Sequence, residues 1–84
     1  MIPLSKKQVH KVSVPRLGKV DEINLIGWKV SPGEQVQEGQ ELAEIETMKA
    51  TFSVESPTSG TVDRVLAQPG DTVGVGDELA EISS

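Results

Sequence analysis

The sequence predicts an all-β domain, a flattened sandwich or barrel of two four-stranded antiparallel sheets with quasi-two-fold symmetry. An internal repeat is the main observation, because a shift of 37 positions places Pro32–Ile45 on Pro69–Ile82 with nine of 14 residues identical. Turn residues recur every few positions, and apolar residues never keep a spacing of three and four long enough for a helix. Two equivalent units of short strands bury their apolar faces by packing against each other.

The first strand is predicted from alternation near the N-terminus. Val12 and Val14 flank a polar residue, and Pro15 closes the run because proline cannot donate to a sheet ladder. The preceding residues show little periodicity. We therefore predict a flexible lead-in over residues 1–8 and a single domain over residues 9–83.

The two halves differ in length after this first strand. Val54–Gly60 repeats the shape of Val12–Gly18, but at an offset of 42 positions. The first half therefore contains five residues that the second half lacks, Lys19–Ile23. A symmetric scaffold does not need them, so we predict a loop with a role of its own. Neutral drift is the alternative, since insertions in surface loops cost little.

The remaining elements follow the same order in both halves. Pro32–Glu34 and Pro69–Asp71 have the Pro-Gly-acid composition of β-turns, and Gly39 and Gly76 mark a second turn. Strands rich in aliphatic residues lie between these turns. The residues predicted to face inward are Leu25, Trp28, Val30, Val36, Leu42 and Ile45 in the first half, and Val62, Val65, Ala67, Val73, Leu79 and Ile82 in the second.

The composition excludes several classes of site and partner. The 84 residues include no cysteine, and His10 is the only histidine, so we expect neither a thiol nucleophile nor a metal site. The net charge of −5, from 13 acidic and 8 basic residues, argues against nucleic acid. No apolar run reaches the roughly 20 residues of a membrane span. We expect a monomeric domain in the cytoplasm, or in the mitochondrial matrix if the source is eukaryotic.

Lys49 occupies the link between the two halves. Its number plus 37 falls just past the C-terminus, so the pseudo-equivalent of this link is the place where the chain ends. In a two-fold arrangement, Lys49 therefore lies at the end of the molecule opposite the termini. The sequence places no general base or second lysine beside it, which disfavours Schiff-base or general-base chemistry. We identify no catalytic residue.

The residues around this lysine carry a family resemblance. The segment Glu46–Ala50, of sequence ETMKA, resembles the modification site of the biotinyl/lipoyl attachment domains, which are small two-fold symmetric β-sandwiches. The resemblance extends over about residues 12–82. It implies that Lys49 bears a cofactor through an amide, with four flanking recognition residues, Glu46, Thr47, Met48 and Ala50.

The choice between lipoate and biotin rests on the residues next to the lysine. Lipoyl domains usually carry Glu-Thr-Asp-Lys-Ala at this site, and biotinyl domains carry Ala-Met-Lys-Met. Glu46, Thr47 and Ala50 therefore favour lipoate, whereas Met48 favours biotin. The resemblance is closer to the lipoyl domains of the acyltransferase components of 2-oxo acid dehydrogenase complexes.

Two further features match the lipoyl domains. Lipoylation in that family is associated with glycines 16 residues before and 11 residues after the lysine, which are Gly33 and Gly60 in this chain. Both are predicted to set turns that position the site. Lipoyl domains also have a loop after the first strand, close to the lysine hairpin, that helps the partner enzyme recognise its domain. Lys19–Ile23 fits this loop in length and location.

The resemblance implies a carrier domain, either separate or part of a dihydrolipoyl acyltransferase, and not an enzyme alone. Lipoate on Lys49 is then the swinging arm that shuttles acyl groups and electrons within a 2-oxo acid dehydrogenase complex. The implied partners are a lipoate ligase or lipoyl transferase, a thiamin-dependent 2-oxo acid decarboxylase, an acyltransferase core and a flavin dihydrolipoyl dehydrogenase.

Two other functions remain open at this stage. The first is a biotinyl carrier domain of a biotin-dependent carboxylase or decarboxylase, with carboxybiotin on Lys49. The second is an unmodified adaptor, because the same fold occurs in the linker domains of efflux systems. A long helical hairpin usually separates the two halves in those proteins, whereas here the halves are contiguous and a lysine lies at their junction.

Overall fold

A computed structural model describes residues 8–18 and 22–84, and it confirms the predicted all-β fold. Within these ranges the chain forms no helix, and hence none long and apolar enough to span a membrane. Eight strands follow one another along the chain. They are β1 (Val9–Ser13), β2 (Ile23–Trp28), β3 (Gln35–Val36), β4 (Glu41–Glu46), β5 (Thr51–Glu55), β6 (Gly60–Val65), β7 (Thr72–Val73) and β8 (Glu78–Ser83).

The strands form two antiparallel four-stranded sheets that are related by the predicted two-fold symmetry. One sheet has the order β1-β8-β6-β3 and the other has the order β5-β4-β2-β7. Exchanging each strand with the one four places along the chain converts the first order into the second. The repeat seen in the sequence is therefore a repeat of strands, each half contributing two strands to each sheet.

Backbone hydrogen bonds between loops follow the same symmetry. The Val14 N–H donates to the Asp77 carbonyl at 2.9 Å, and the equivalent Ser56 N–H donates to the Gln40 carbonyl at 2.9 Å. These bonds satisfy polar groups that a buried loop otherwise leaves unpaired. The two halves thus share loop geometry as well as strand order.

The Pro-Gly-acid segments form the predicted turns. In the first, Gly33 has a φ of 91°, and the Glu34 N–H donates to the Ser31 carbonyl at 3.0 Å. In the second, Gly70 has a φ of 94°. A positive φ of this size favours glycine because it has no Cβ to clash with the backbone.

Paired β-bulges explain how residues three apart both face inward. Side chains alternate along a regular strand, so Leu42 and Ile45 would lie on opposite faces. The register between β4 and β5 shifts between Glu41 and Ala43, which leaves Leu42 as the extra residue of a bulge. In β8 the register shifts at the equivalent place, around Leu79. Each bulge brings a Leu-Ala pair into the core.

The core between the sheets contains most of the residues predicted to face inward. Leu42, Ile45, Leu79 and Ile82 have no exposed surface. Trp28, Val65 and Val73 are only partly buried, and they pack against the edge of this cluster. The Trp28 indole N–H donates to the Ala67 carbonyl at 2.9 Å, which satisfies its polar group at that edge.

One predicted boundary needs correction. The loop predicted at Lys19–Ile23 ends earlier, because Ile23 begins β2 and is 3% exposed. Residues 19–21 lie outside the described residues, as does most of the lead-in predicted at residues 1–8. Gln8 is described, and its C=O accepts a hydrogen bond from the Ser84 N–H at 3.0 Å. Pairing therefore begins one residue before β1.

The Lys49 hairpin and the described chain ends lie at opposite ends of the molecule. β4 runs towards the hairpin, and β5 runs away from it to the segment that precedes β6. At the start of β6, Thr61 pairs with Ser83, and Ser83 pairs with Val9 on its other side. This arrangement is the one that the symmetry of the sequence predicts.

Candidate functional site

Lys49 lies on the hairpin that joins β4 to β5. The last residue of β4, Glu46, pairs with the first residue of β5, Thr51, so only four residues reverse the chain. Met48 and Lys49 form the outermost part of this turn, and both are exposed. Met48 is 87% exposed, which is the largest value among the exposed large hydrophobic residues. The hairpin therefore presents an amine and a thioether to solvent.

The turn is closed by Thr47 and Ala50. The Thr47 N–H donates to the Ala50 carbonyl at 2.8 Å. The Thr47 hydroxyl accepts hydrogen bonds from the N–H groups of Lys49 and Ala50, each at 3.2 Å, and donates to the Ala50 carbonyl at 3.3 Å. The backbone on both sides of Lys49 is thus held by one side chain.

A shallow groove of about 510 Å³ runs along one side of the hairpin. The start of β2 forms its other wall, because Asn24 pairs with Glu46 across the sheet. The Asn24 amide donates to the Glu22 carboxylate at 3.0 Å, which holds this carboxylate at the groove. We refer to this set as the lysine-end groove, lined by Glu22, Asn24, Glu46, Thr47 and Met48.

A second groove, of about 410 Å³, lies at the opposite end of the molecule. Its lining includes residues that are equivalent, under the two-fold symmetry, to residues of the lysine-end groove. In the strand pairing, Ser59 immediately before β6 corresponds to Glu22 immediately before β2, and Ser83 corresponds to Glu46. The fold therefore builds a groove at both ends, but only the lysine end carries carboxylates at these two positions.

The predicted turn glycines lie away from the lysine. The Gly33 N–H donates to the Val62 carbonyl at 2.7 Å, and Gly60 pairs with Val36 at the start of β6. Both positions are at the end of the molecule that holds Ser83 and the described chain ends. Gly33 is a turn residue as predicted, whereas Gly60 is a strand residue.

The reason for glycine at position 60 is a close contact between backbones. A Cβ built on Gly60 would overlap the carbonyl oxygen of Ser83. Its φ is not in the left-handed region, unlike that of Gly33. The interpretation of Gly60 as a turn glycine is therefore wrong. Glycine is required at this position because the Ser83 backbone approaches too closely to leave room for a side chain.

The resemblance to lipoyl domains implied that the Lys19–Ile23 loop lies beside the hairpin, and Glu22 from this segment does line the groove there. The sequence interpretation included Glu22 only as part of the predicted loop, and it did not single out Asn24. Asn24 could have been found by comparing the repeats at an offset of 37, because its equivalent is Thr61. Glu22 could not, because it falls among the five residues that the sequence comparison leaves without an equivalent. Carboxylate and amide groups that break an otherwise close repeat indicate a role beyond the fold.

The site fits covalent attachment of a small carboxylic acid. A primary amine on an exposed two-residue tip is accessible to an enzyme that forms an amide, and the turn beneath it is closed by its own hydrogen bonds. The Lys49 amine is exposed on this tip, whereas a nucleophilic lysine lies in an apolar pocket or beside another cationic group. The arrangement suits a carrier of a group and not a catalyst.

Comparison with known proteins identifies similar chains. A family model for biotin/lipoyl domains, described as "Biotin-requiring enzyme", matches residues 10–82. The lipoamide acyltransferase component of the branched-chain alpha-keto acid dehydrogenase complex of Pseudomonas aeruginosa is 38% identical over 74 residues. This match covers 87% of the chain but only 17% of the relative's length.

Solved structures with the same fold come from two kinds of protein. The lipoyl domain of the 2-oxoglutarate dehydrogenase complex from Azotobacter vinelandii superposes with a TM-score of 0.68 at 22% identity, over 87% of this chain and 96% of that one. The urea carboxylase of Kluyveromyces lactis superposes with a TM-score of 0.78 at 25% identity, over 89% of this chain and 6% of that one.

Proposed function

Because this chain belongs to the biotin/lipoyl attachment family, we propose that it is a lipoyl carrier domain with lipoate joined to Lys49 by an amide. The observation that carries the proposal is the isolated hairpin, which presents Lys49 to solvent at the end opposite the described chain ends. A ligase supplies lipoate with its carboxyl activated as an acyl phosphate anhydride. Lys49 Nζ forms the amide bond to the carboxyl carbon as the bond from that carbon to the phosphate oxygen breaks, so the phosphate group leaves and the amine loses its proton to solvent.

Sequence relatives favour lipoate over biotin as the attached group. The Pseudomonas aeruginosa relative, at 38% identity, is a lipoamide acyltransferase component. Glu46 and Ala50 match the pattern of lipoyl domains, and Glu22 continues the acidic character of the groove beside them. We therefore propose that the acidic residues of the lysine-end groove help the ligase, or an enzyme of the 2-oxo acid dehydrogenase complex, to recognise the hairpin.

A biotinyl carrier is the second candidate. Met48 is the observation in its favour, because biotinyl domains have methionine immediately before the lysine and this side chain is 87% exposed. The structural similarity to urea carboxylase, with a TM-score of 0.78, is compatible with this function. Both candidates use the same lysine and differ only in the acid attached to it.

The contribution of the chain to the proposed reaction cycle is to concentrate and present the arm. Lipoate supplies a dithiolane that accepts acyl groups and electrons. Lys49 holds it by a flexible side chain, and the hairpin keeps the attachment point away from both sheets. A tethered arm converts encounters between separate molecules into nearly intramolecular ones, which raises the effective concentration of the group at each active site.

The proposed partners follow from the same assignment. They are a lipoate ligase or lipoyl transferase, a thiamin-dependent 2-oxo acid decarboxylase, an acyltransferase core and a flavin dihydrolipoyl dehydrogenase. The net charge of −5 favours docking on basic surfaces of such partners, an attraction that salt screens. Location in the cytoplasm or the mitochondrial matrix stays a prediction, as does the monomeric state.

Selective labelling tests the proposed function. The chain is co-expressed in parallel with a lipoate ligase and with a biotin ligase, and the intact mass of each product is measured. We expect a lipoyl-sized increment with the first enzyme and the unmodified mass with the second. A biotin-sized increment alone would favour the second candidate, and no increment with either enzyme would exclude both.

The matched control is Lys49→Arg, which keeps a positive charge but cannot be acylated in the same way. We expect this variant to remain unlabelled and to unfold at the same denaturant concentration as the wild type, because an exposed side chain contributes little to stability. Labelling that persists in Lys49→Arg would place the attachment at another lysine.

A further inference from the structure

The hairpin that carries Lys49 has an unusual backbone for its length. Two-residue hairpin turns favour residues with positive φ, most often Asn-Gly or Asp-Gly, because such turns match the twist of the strands. Here the two central residues are Met48 and Lys49. Among the described residues only glycines have positive φ, so both central residues have negative φ. The turn therefore needs another source of order.

The Thr47 hydroxyl supplies that order. In a regular two-residue hairpin, the fourth residue donates its N–H to the carbonyl of the first. In this turn, the Ala50 N–H donates instead to the Thr47 hydroxyl at 3.2 Å, and the Lys49 N–H donates to the same oxygen at 3.2 Å. One side-chain oxygen thus holds the two amides on either side of the Lys49 Cα.

The hydrogen-bonding capacity of this hydroxyl is fully used within the turn. A threonine hydroxyl has one donor and two acceptor positions. The two acceptor positions take the amides of Lys49 and Ala50, and the donor goes to the Ala50 carbonyl at 3.3 Å. None of the three is left for a partner protein. The hydroxyl therefore acts on the turn and not on whatever docks against it.

We propose that Thr47 is a positioning residue, whose hydroxyl keeps the Lys49 turn in the one conformation that the modifying enzyme accepts. This inference rests on the proposed function, since it concerns the same lysine. It assigns Thr47 a different role from direct recognition by the enzyme. The exposed side chains of Glu46 and Met48 are free to make those contacts.

The expected effect is on the population of the accepted conformation. When only a fraction of a protein is in the form that binds, the apparent dissociation constant rises by the inverse of that fraction. Without the hydroxyl, the amides of Lys49 and Ala50 turn to water and the hairpin samples other conformations. The KM of the ligase for the domain then rises, while kcat at saturation stays the same.

The test compares Thr47→Val, which keeps the branched shape but has no hydroxyl, with Thr47→Ser, which keeps the hydroxyl. Thr58→Val is the matched control, because the Thr58 hydroxyl also bonds a backbone carbonyl but lies on the loop before β6. Lipoylation by a lipoate ligase is followed as a function of domain concentration. Amide hydrogen exchange at Lys49 and Ala50 is measured by NMR on the same unmodified proteins.

We expect Thr47→Val to raise KM and both exchange rates by about five- to tenfold, as the loss of hydrogen bonds of ordinary strength predicts. We expect Thr47→Ser and Thr58→Val to keep the KM and the two exchange rates at their wild-type values. An unchanged KM and unchanged exchange in Thr47→Val would overturn the inference, and a fall in kcat alone would show that the hydroxyl acts in the chemical step. If the ligase leaves the wild type unlabelled, the proposed function fails, and the exchange rates still decide the role of Thr47.

Discussion

Gly60 shows how one missing side chain permits two strands to approach. It begins β6, where a Cβ would overlap the carbonyl oxygen of Ser83 in the neighbouring β8. The sequence aligns Gly60 with Gly18, but in the strand pairing its equivalent is Ile23, whose side chain is buried. The symmetry of the backbone therefore allows different packing at its two ends. A sequence pattern marks this glycine but does not distinguish a turn from a close approach.

Gly60→Ala tests this interpretation of the residue. The added methyl group must displace the backbone of Ser83, and we expect the free energy of unfolding to fall by about 1–3 kcal/mol, the usual cost of overpacking. Denaturant unfolding followed by Trp28 fluorescence measures the change. A stability within error of the wild type would contradict the expected overlap.

The matched control is Gly27→Ala, since Gly27 also lies in a strand. A Cβ built there meets nothing within 4 Å, and its φ is not in the left-handed region. We expect little change or a small gain in stability, because alanine restricts the unfolded chain more than glycine does.

Single strands show where prediction from the sequence reached its limit. Apolar residues at Leu42 and Ile45 were correctly placed in the core, because the repeat and the surrounding turns frame the strand. Their spacing of three conflicts with the alternation of a regular strand. A β-bulge resolves the conflict, but its position depends on pairing with β5, which is distant information that the local sequence does not contain. For the same reason, the burial of Ala43 was not anticipated.

An ion pair between neighbouring strands stabilises the outer face of one sheet. Arg64 on β6 lies opposite Glu81 on β8, and their side chains approach to 2.7 Å. The hydrogen bond from Arg64 lowers the pKa of the Glu81 carboxyl below its usual range. A carboxyl whose pKa is lower in the folded state stabilises that state above its unfolded pKa, and this contribution is lost as pH falls through the folded pKa.

Glu81→Gln should therefore reduce the loss of stability in acid. We expect the wild type to lose melting temperature faster than the variant as pH falls from about 5 towards the lowered pKa of Glu81. At neutral pH the variant is slightly the less stable of the two, because the pair lies near the surface and is partly screened. Thermal unfolding at a series of pH values checks the slope.

Glu55→Gln is the control for the loss of one carboxylate, because Glu55 is exposed on the edge strand β5. The melting temperature of this variant should change with pH as that of the wild type does. Parallel profiles for all three proteins would mean that the Arg64–Glu81 pair does not contribute to folding in solution.

Comparison of the two ends of the molecule distinguishes features that follow from the symmetric fold from features that belong only to the lysine end. Both ends carry a groove made by equivalent strands, so the groove itself follows from the symmetry. The acidic lining at Glu22 and Glu46 has no counterpart at Ser59 and Ser83. Sequence comparison of the repeats at an offset of 37 predicts the difference between Glu46 and Ser83, but it leaves Glu22 without an equivalent. The place of Glu22 beside the hairpin was implied only by the resemblance to lipoyl domains, because it depends on the pairing of β2 with β4, which the local sequence does not contain.

Two variants with the same change of net charge test whether the acidic residues of the lysine-end groove guide a partner. Glu22→Gln and Ser59→Lys each change the net charge from −5 to −4, one at each end. If the groove guides a basic partner, Glu22→Gln lowers kcat/KM for lipoylation by roughly threefold at low salt, and added salt narrows the difference. Ser59→Lys should leave the rate unchanged. An equal fall in kcat/KM for both variants would show that only overall charge matters. A kcat/KM equal to that of the wild type in both would show that the Glu22 carboxylate does not guide the partner.

The pairing of Gln8 with Ser84 gives the molecule a mechanical property. These residues lie on adjacent antiparallel strands, so a force that separates them opens β1 from β8 one hydrogen bond at a time. A force between Lys49 and either of these residues acts along the strands. Because the hairpin and the described chain ends belong to different sheets, this force loads the hydrogen bonds of both sheets and the core between them together. The domain therefore resists a pull on its lysine better than a pull that spreads its ends. A group held on the hairpin can be drawn into a neighbouring active site without unfolding the body that carries it.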